Sequence, residues 1–403
     1  MIKIQINNPV QKKQEYANAI TDVVAFRISV LKQSLSHLNG AVVDFGTGNF
    51  VSFKAVTKKI INIVGGNFNI SDSRRGYTNS VTNYLANANN LGIINLKGLI
   101  DFCDDMLDHN NQQLSALLVC EAADLLNLNE AILNNYGIGT VDNIAVIKLA
   151  FDYENYNRIA TPIKSFYRIN NFVKFCPYCN KNEAYHFVND NSEVVSSYEL
   201  DHFYDKATHP LLSYCMFNLV PSDHTCNTTN KGRIEFNDEY HINPHLSGYI
   251  DSFKFCPVGL TPAYEVSRIE VEILEAQGST MYKKIKGEKL QNDESGDLGN
   301  LNVFKIRSKY LTKTHKASKT LKTLQNYDKN IRHIKKHLKS LGGRFNKKAF
   351  YLKWYENEFN VRFNPTDFNE KAYSKFIRDI HDHYYSINES RLNTYIIELI
   401  NDY

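Results

Sequence analysis

Cys176-Pro177-Tyr178-Cys179 constrains this chain more than any other segment, because a C-x-x-C spacing lets two thiolates and the adjoining backbone amides wrap one tetrahedral zinc ion. A redox pair or two buried thiols would share that spacing. The thioredoxin-like alternative needs the motif between a strand and a helix, and the polar turn Asn180-Lys181-Asn182 that follows disfavours it. A second half-site stands at Asp223-His224-Thr225-Cys226, with Asp where a second knuckle would carry its first cysteine. Zinc also accepts carboxylate oxygen and imidazole nitrogen. Cys176, Cys179 and Cys226 with Asp223, or with His224 in its place, therefore form a workable structural zinc set, and Cys256 is a more distant substitute.

The chain has seven cysteines, an odd number, and its start has no apolar core followed by a small-residue cleavage site. Reduced thiols and a cytoplasmic location are the expectation, with no membrane span. At 403 residues the chain exceeds one ordinary core and predicts two or three domains. The expected division is a helical segment at 1–165, a central module at 166–260 and a helical basic segment at 261–403.

Helical periodicity opens at Pro9, after Asn8 as cap, and places Ile20, Val24, Ile28, Leu31, Leu35 and Leu38 on one face. Further helices are expected around Leu96–Leu107 and Leu114–Leu126. Gly46-Thr47-Gly48 and Gly65-Gly66 lack the strand and downstream acid of a nucleotide fingerprint and read as turns. From about Phe172 the texture shifts to short β-like runs with Asn-rich turns, and helical periodicity returns near Asn302. There Tyr310, Ala317, Leu321, Leu324, Tyr327, Ile331, Ile334, Leu338 and Leu341 predict one long apolar stripe ending at Gly342-Gly343.

The cysteine half-sites bracket Glu199-Leu200-Asp201-His202-Phe203-Tyr204, then Asn218-Leu219-Val220-Pro221-Ser222, and the run closes with Cys226-Asn227-Thr228-Thr229-Asn230-Lys231-Gly232. This order resembles the HNH, or ββα-metal, nuclease motif flanked by a zinc knuckle. Asp201-His202 matches its first element, Asn218 the middle Asn, and Asn227 the last position. The sixteen-residue step from His202 to Asn218 and the nine-residue step to Asn227 suit a hairpin with a modest insertion followed by a helix. The resemblance implies an α+β fold, with mainly helical N- and C-terminal regions flanking a central ββα-metal module. It also implies His202 as general base, Asn218 as the residue orienting the loop or the imidazole, and Asp201 and Asn227 as ligands of a catalytic Mg²⁺ or Mn²⁺. Asp223 in a cysteine position and Asp205 where such proteins often carry Pro are departures from the pattern.

The chemistry fits phosphodiester hydrolysis, in which a water is deprotonated, the phosphorane charge is neutralised and the leaving oxygen is stabilised. Singly, each of these residues reads as an ordinary surface or turn residue; their joint order inside two zinc half-sites carries the reading. His186, His209 and His245 read as structural or surface histidines rather than ligands, and His381-Asp382-His383 is discounted because positions i and i+2 diverge on a helix.

Net charge is only +4, yet residues 305–353 hold sixteen Lys or Arg against one acidic residue, Asp328. Lys313, Lys316, Lys322, Lys329, Arg332, Lys335 and Lys336 are the expected phosphate contacts, with Lys231 one turn beyond Asn227. The alternative for the lysines is a solvated face. Leu200–Gly232, with Val303-Phe304 and residues 310–316, also resembles bacterial HNH effectors of anti-phage defence, such as the nuclease partner of Septu-type ATPases. DNA as substrate and an ATPase or sensor as partner are what that likeness implies. The rivals are a zinc-stabilised nucleic-acid-binding or adaptor protein with an inactive site, and an HNH nuclease acting on RNA.

Overall fold

A computed structural model describes residues 2–39, 50–52, 93–151, 160–188, 194–248, 251–287, 299–330, 332–333, 336, 353–354, 356–360, 362 and 364–388. The fold is mainly helical α+β with small two-stranded sheets and a buried three-cysteine cluster. Two compact units divide the chain otherwise than at 165 and 260. A knuckle unit takes Met1–Gln5, Asn171–Glu199 and Pro221–Tyr403, and a helical unit takes Ile6–Asn170 together with Leu200–Val220.

In the helical unit, α1 (Pro9–Asn39) starts after Asn8, whose φ of 53° ends the preceding extended run. Ile20, Val24, Ile28, Leu31 and Leu35 are fully buried along one face; the Leu38 side chain lies outside the described residues. Strand β1 (Phe50–Ser52) pairs antiparallel with β2 (Ile93–Asn95), which leads into α2 (Leu96–Leu118). Asn95 caps α2 by accepting from the Gly98 N–H at 3.0 Å, and a Cβ on Gly98 would meet the Tyr136 carbonyl oxygen at 2.1 Å, so only glycine fits there.

Helix α2 breaks at Asp108–Asn111, where His109, Asn110 and Asn111 adopt left-handed φ of 47°, 58° and 63°. Asn tolerates that region better than most residues. The helix expected over 114–126 instead ends at Leu118, and a turn leads to α3 (Leu125–Asn135), followed by α4 (Val141–Phe151) and α5 (Ala160–Asn170). Helix α1 packs on α2, α4 and α5. The two glycine turns expected at 46–48 and 65–66 lie outside the described residues.

The knuckle unit holds two antiparallel pairs, β3 (His186–Val188) with β4 (Val194–Ser196), and β7 (Phe253–Val258) with β8 (Arg268–Ile273). Alternation along β7 buries Phe253 and Phe255, and α10 (Ser374–Ile387) packs against that strand. Helices α6 (Thr280–Lys286) and α7 (Asn300–Val303) precede α8 (Ile306–Leu311) and α9 (Thr314–Lys329). The single helix expected from Tyr310 onward is thus broken at Thr312-Lys313. Tyr310, Ala317, Leu321 and Leu324 are buried as the stripe predicts, whereas Ile331, Ile334, Leu338 and Leu341 lie outside the described residues. Among the described residues no helix is long and apolar enough to cross a membrane.

Candidate functional site

Two chemically distinct centres emerge, one in each unit. In the knuckle unit the chain doubles back through a Phe175–Glu183 bridge, with Cys176 N–H donating to the Asn182 carbonyl at 2.9 Å and Asn180 N–H to the Cys176 carbonyl at 2.8 Å. Asn180 sits at φ 49°, the left-handed conformation such a turn requires. Cys226 joins from a short π-helical segment, Thr225–Lys231.

The sulfurs of Cys176, Cys179 and Cys226 lie within 4.8 Å of one another, and all three side chains are buried. This cluster can hold a metal ion such as zinc, since convergent thiolates are the donors a thiophilic ion takes. Hydrogen bonds from Cys176 and Cys226 hold the Cys179 thiol well below its usual range, with Lys309 adding to the effect, while burial pushes Cys176 well above it.

Sequence reasoning missed Lys309. Its ammonium lies 3.0 Å from the Cys226 sulfur, 83 positions away along the chain. Burial disfavours that charge, but the neighbouring sulfurs of Cys226 and Cys179 outweigh it and raise the Lys309 pKa. The next residue, Tyr310, donates its hydroxyl to the Cys179 carbonyl at 2.8 Å, so α8 grips the knuckle by two consecutive side chains.

Neither Asp223 nor His224 joins the cluster, which corrects the expected fourth ligand. Asp223 accepts instead from the Asn182 side chain at 2.9 Å and from the Cys226 backbone N–H at 3.1 Å, tying the second half-site to the first as a turn-capping group. His224 is exposed and pairs through Nδ1 with Glu199 at 2.7 Å, and that carboxylate raises the imidazole pKa. Glu199 also accepts from Asn227 Nδ2 at 2.8 Å and from the Thr228 hydroxyl at 3.0 Å. Its acidic side chain just before Leu200-Asp201-His202 was the available signal. Cys256 likewise stays out of the cluster, its thiol facing Glu272.

The other group of candidate residues lies on the Leu200–Val220 segment of the helical unit, which runs from β5 (Glu199–His202) to β6 (Leu219–Ser222), two strands that pair with each other. Asp201 and His202 are 4% and 8% exposed, and Asn218 is fully buried. The Asn218 amide oxygen accepts from Tyr204 N–H at 2.8 Å, and its nitrogen donates to the carbonyls of Tyr204 and Leu212 at 3.1 and 3.0 Å. His202 Nε2 lies 2.9 Å from the Ser213 carbonyl oxygen. A carbonyl only accepts, so Nε2 carries the hydrogen in this contact.

The N-terminal helices hold this turn from outside. Tyr16 donates to the Tyr214 carbonyl at 2.6 Å, Tyr167 to the carbonyls of Met216 and Leu219 at 2.6 and 3.2 Å, and the buried Arg27 guanidinium donates to the Tyr214 hydroxyl.

The expected phosphate contacts diverge. Lys231 is 4% exposed with its ammonium 4.6 Å over the Phe236 ring, so it does not stand on the surface as a phosphate contact would require. Lys313 and Lys316 lie over Tyr373 at 5.8 and 4.6 Å, and the Lys316 pKa is lowered by burial and by the charges of Lys319 and Lys313. Lys322 is paired with Glu265, whereas Lys329, Arg332 and Lys336 are exposed; Lys335 lies outside the described residues. His381 and His383 do not join a metal-capable group among the described residues.

Comparison of the chain with protein-family models, with curated proteins and with solved structures returns no match.

Proposed function

We propose that this chain is a divalent-cation-dependent endonuclease of the HNH type that hydrolyses phosphodiester bonds in DNA. The observation that carries the reading is the coupling of His202 to a rigid turn. Its Nε2–H faces the Ser213 carbonyl while Asn218, sixteen positions beyond His202, binds the backbone on both sides of that turn.

In this reading His202 takes the proton of the attacking water. The Ser213 carbonyl holds the ring's orientation and gains strength as a partner once the ring becomes imidazolium. Tyr16 and Tyr167 keep the turn in register, so the imidazole is aimed by backbone contacts rather than by its own rotamer alone. Asp201 offers the hard carboxylate donor that Mg²⁺ or Mn²⁺ takes, and the ion when bound supplies charge neutralisation at the phosphate. The exposed lysines of α9 suit a phosphate backbone, and the mutual repulsion of Lys313, Lys316 and Lys319 is relieved when an anion lies across them.

DNA as the substrate, action in anti-phage defence and an ATPase or sensor as activating partner come from the sequence resemblance. The test is supercoiled plasmid incubated with purified protein and Mg²⁺ or Mn²⁺. Nicking that stops with a chelator and is absent in Asp201→Ala supports the reading, whereas cleavage indifferent to both contradicts it.

A further inference from the structure

We propose that Lys309 is the resident counter-cation of a three-thiolate metal centre, donating to the Cys226 sulfur and remaining outside the coordination sphere. The inference rests on the cysteine cluster alone and is independent of the nuclease reading. Three thiolates around one divalent thiophilic ion leave an excess negative charge. Cys176, Cys179 and Cys226 are 0%, 3% and 0% exposed, so water cannot offset that charge, and an uncompensated buried charge is costly. A lysine ammonium 3.0 Å from one sulfur brings the centre to neutrality and supplies a charge-assisted N–H···S bond.

The placement is built into the fold. Lys305, held at φ 52°, immediately precedes helix α8, and Lys309 N–H bonds to the Lys305 carbonyl at 2.9 Å. The neighbouring Tyr310 is buried, stacked on Phe255 at 4.3 Å, and bonded to the Cys179 carbonyl. Lys309 therefore leaves a helix that is already anchored to the knuckle, which is what a fixed outer-sphere partner needs. A donor on a thiolate also withdraws electron density from sulfur, so the metal-bound thiolate becomes a poorer nucleophile. The ligand class that matches is a thiophilic divalent ion such as Zn²⁺, and not the hard Mg²⁺.

The test uses the full-length chain loaded with zinc, as wild type, K309R, K309Q and K309M. Three quantities are read: zinc transfer to a chromophoric chelator, alkylation of Cys226 by iodoacetamide followed by peptide mass spectrometry, and the absorption spectrum after Co²⁺ substitution. K309M is expected to lose roughly 10- to 100-fold in zinc affinity and to alkylate faster, with K309R close to wild type and K309Q between them. The Co²⁺ spectrum is expected to be the same in all four, because the inner ligands do not change. Should K309M fail to fold, the K309R and K309Q pair carries the comparison. Equal affinity and equal alkylation across the folded variants would overturn the proposal. So would a wild-type protein that takes up no zinc, or a Co²⁺ spectrum that changes in both K309Q and K309R, which would make the lysine nitrogen an inner ligand.

Discussion

Asn218 grips the main chain of Tyr204 at both ends, accepting from its N–H at 2.8 Å and donating to its carbonyl at 3.1 Å. One side-chain amide thereby ties down both backbone groups of a residue two positions beyond His202, next to the Phe203 N–H that bonds to the Asn218 carbonyl at 2.8 Å. Such a clamp needs an amide, because a carboxylate offers no donor and a hydroxyl cannot span both groups.

Asn218→Ala leaves the Tyr204 N–H and the Leu212 carbonyl buried without this partner, and is expected to cost on the order of 1–3 kcal/mol in urea denaturation. Asn218→Asp should cost more than Asn218→Ala does, since it sets a carboxylate oxygen against the carbonyls of Tyr204 and Leu212. An Asp variant as stable as wild type would show that the amide nitrogen contributes nothing.

Tyr167→Phe removes a hydroxyl that serves two buried carbonyls, Met216 and Leu219, while leaving the ring packed. A loss of about 1 kcal/mol is expected from thermal or chemical denaturation. If the helices aim the turn, cleavage should fall further than the stability loss alone explains, measured well below the melting temperature.

The Lys375–Asp379 pair gives a pH signature. The two side chains are 4% and 8% exposed and lie 2.9 Å apart, and Asp379 also accepts from the Phe255 N–H at 2.9 Å. Burial pushes the Asp379 carboxyl up to about 6, despite Lys375, and pulls the Lys375 ammonium below its usual range. A folded-state pKa above the unfolded one means that Asp379 stabilises the fold below about pH 4 and that this contribution is lost as pH rises through about 6. Wild type should therefore lose on the order of 3 kcal/mol relative to Asp379→Asn between pH 4 and pH 7. At neutral pH, Lys375→Met alone should cost about 3–5 kcal/mol, whereas Lys375→Met with Asp379→Asn should recover most of it.

Metal removal addresses the knuckle. One zinc per chain is expected by elemental analysis, and Cys176→Ser should lower zinc retention and destabilise the residues around 174–184 in hydrogen exchange. Zinc-free protein with unchanged exchange there would make Cys176, Cys179 and Cys226 ordinary buried thiols.

Local signals were the legible part of the sequence. The α1 stripe from Ile20 to Leu35 lies buried as its spacing predicts, and Cys176, Cys179 and Cys226 converge as their shared donor type and the order of the two half-sites predict. Long-range partners were illegible. Nothing near Cys226 announces Lys309, which in the sequence is one of sixteen basic residues in a run, and nothing in residues 6–170 announces that Tyr16 and Tyr167 hold the Tyr214 to Leu219 backbone. Periodicity also misled where backbone geometry intervened. The stripe through Tyr310 and Ala317 survives in burial, yet Thr312-Lys313 splits it into two helices, and Lys231 keeps its helical spacing from Asn227 while folding its stem inward onto Phe236. Asp223 stood in a ligand position by alignment of half-sites, but its carboxylate is consumed by Asn182 and the Cys226 N–H.

The most direct measurement is the single-turnover rate of plasmid cleavage by wild type and His202→Ala at saturating Mn²⁺, with folding of both checked by circular dichroism. If His202 is the general base, the variant cleaves roughly 100- to 10,000-fold more slowly while binding the same DNA with unchanged affinity. A folded His202→Ala protein that cleaves at the wild-type rate would contradict the account.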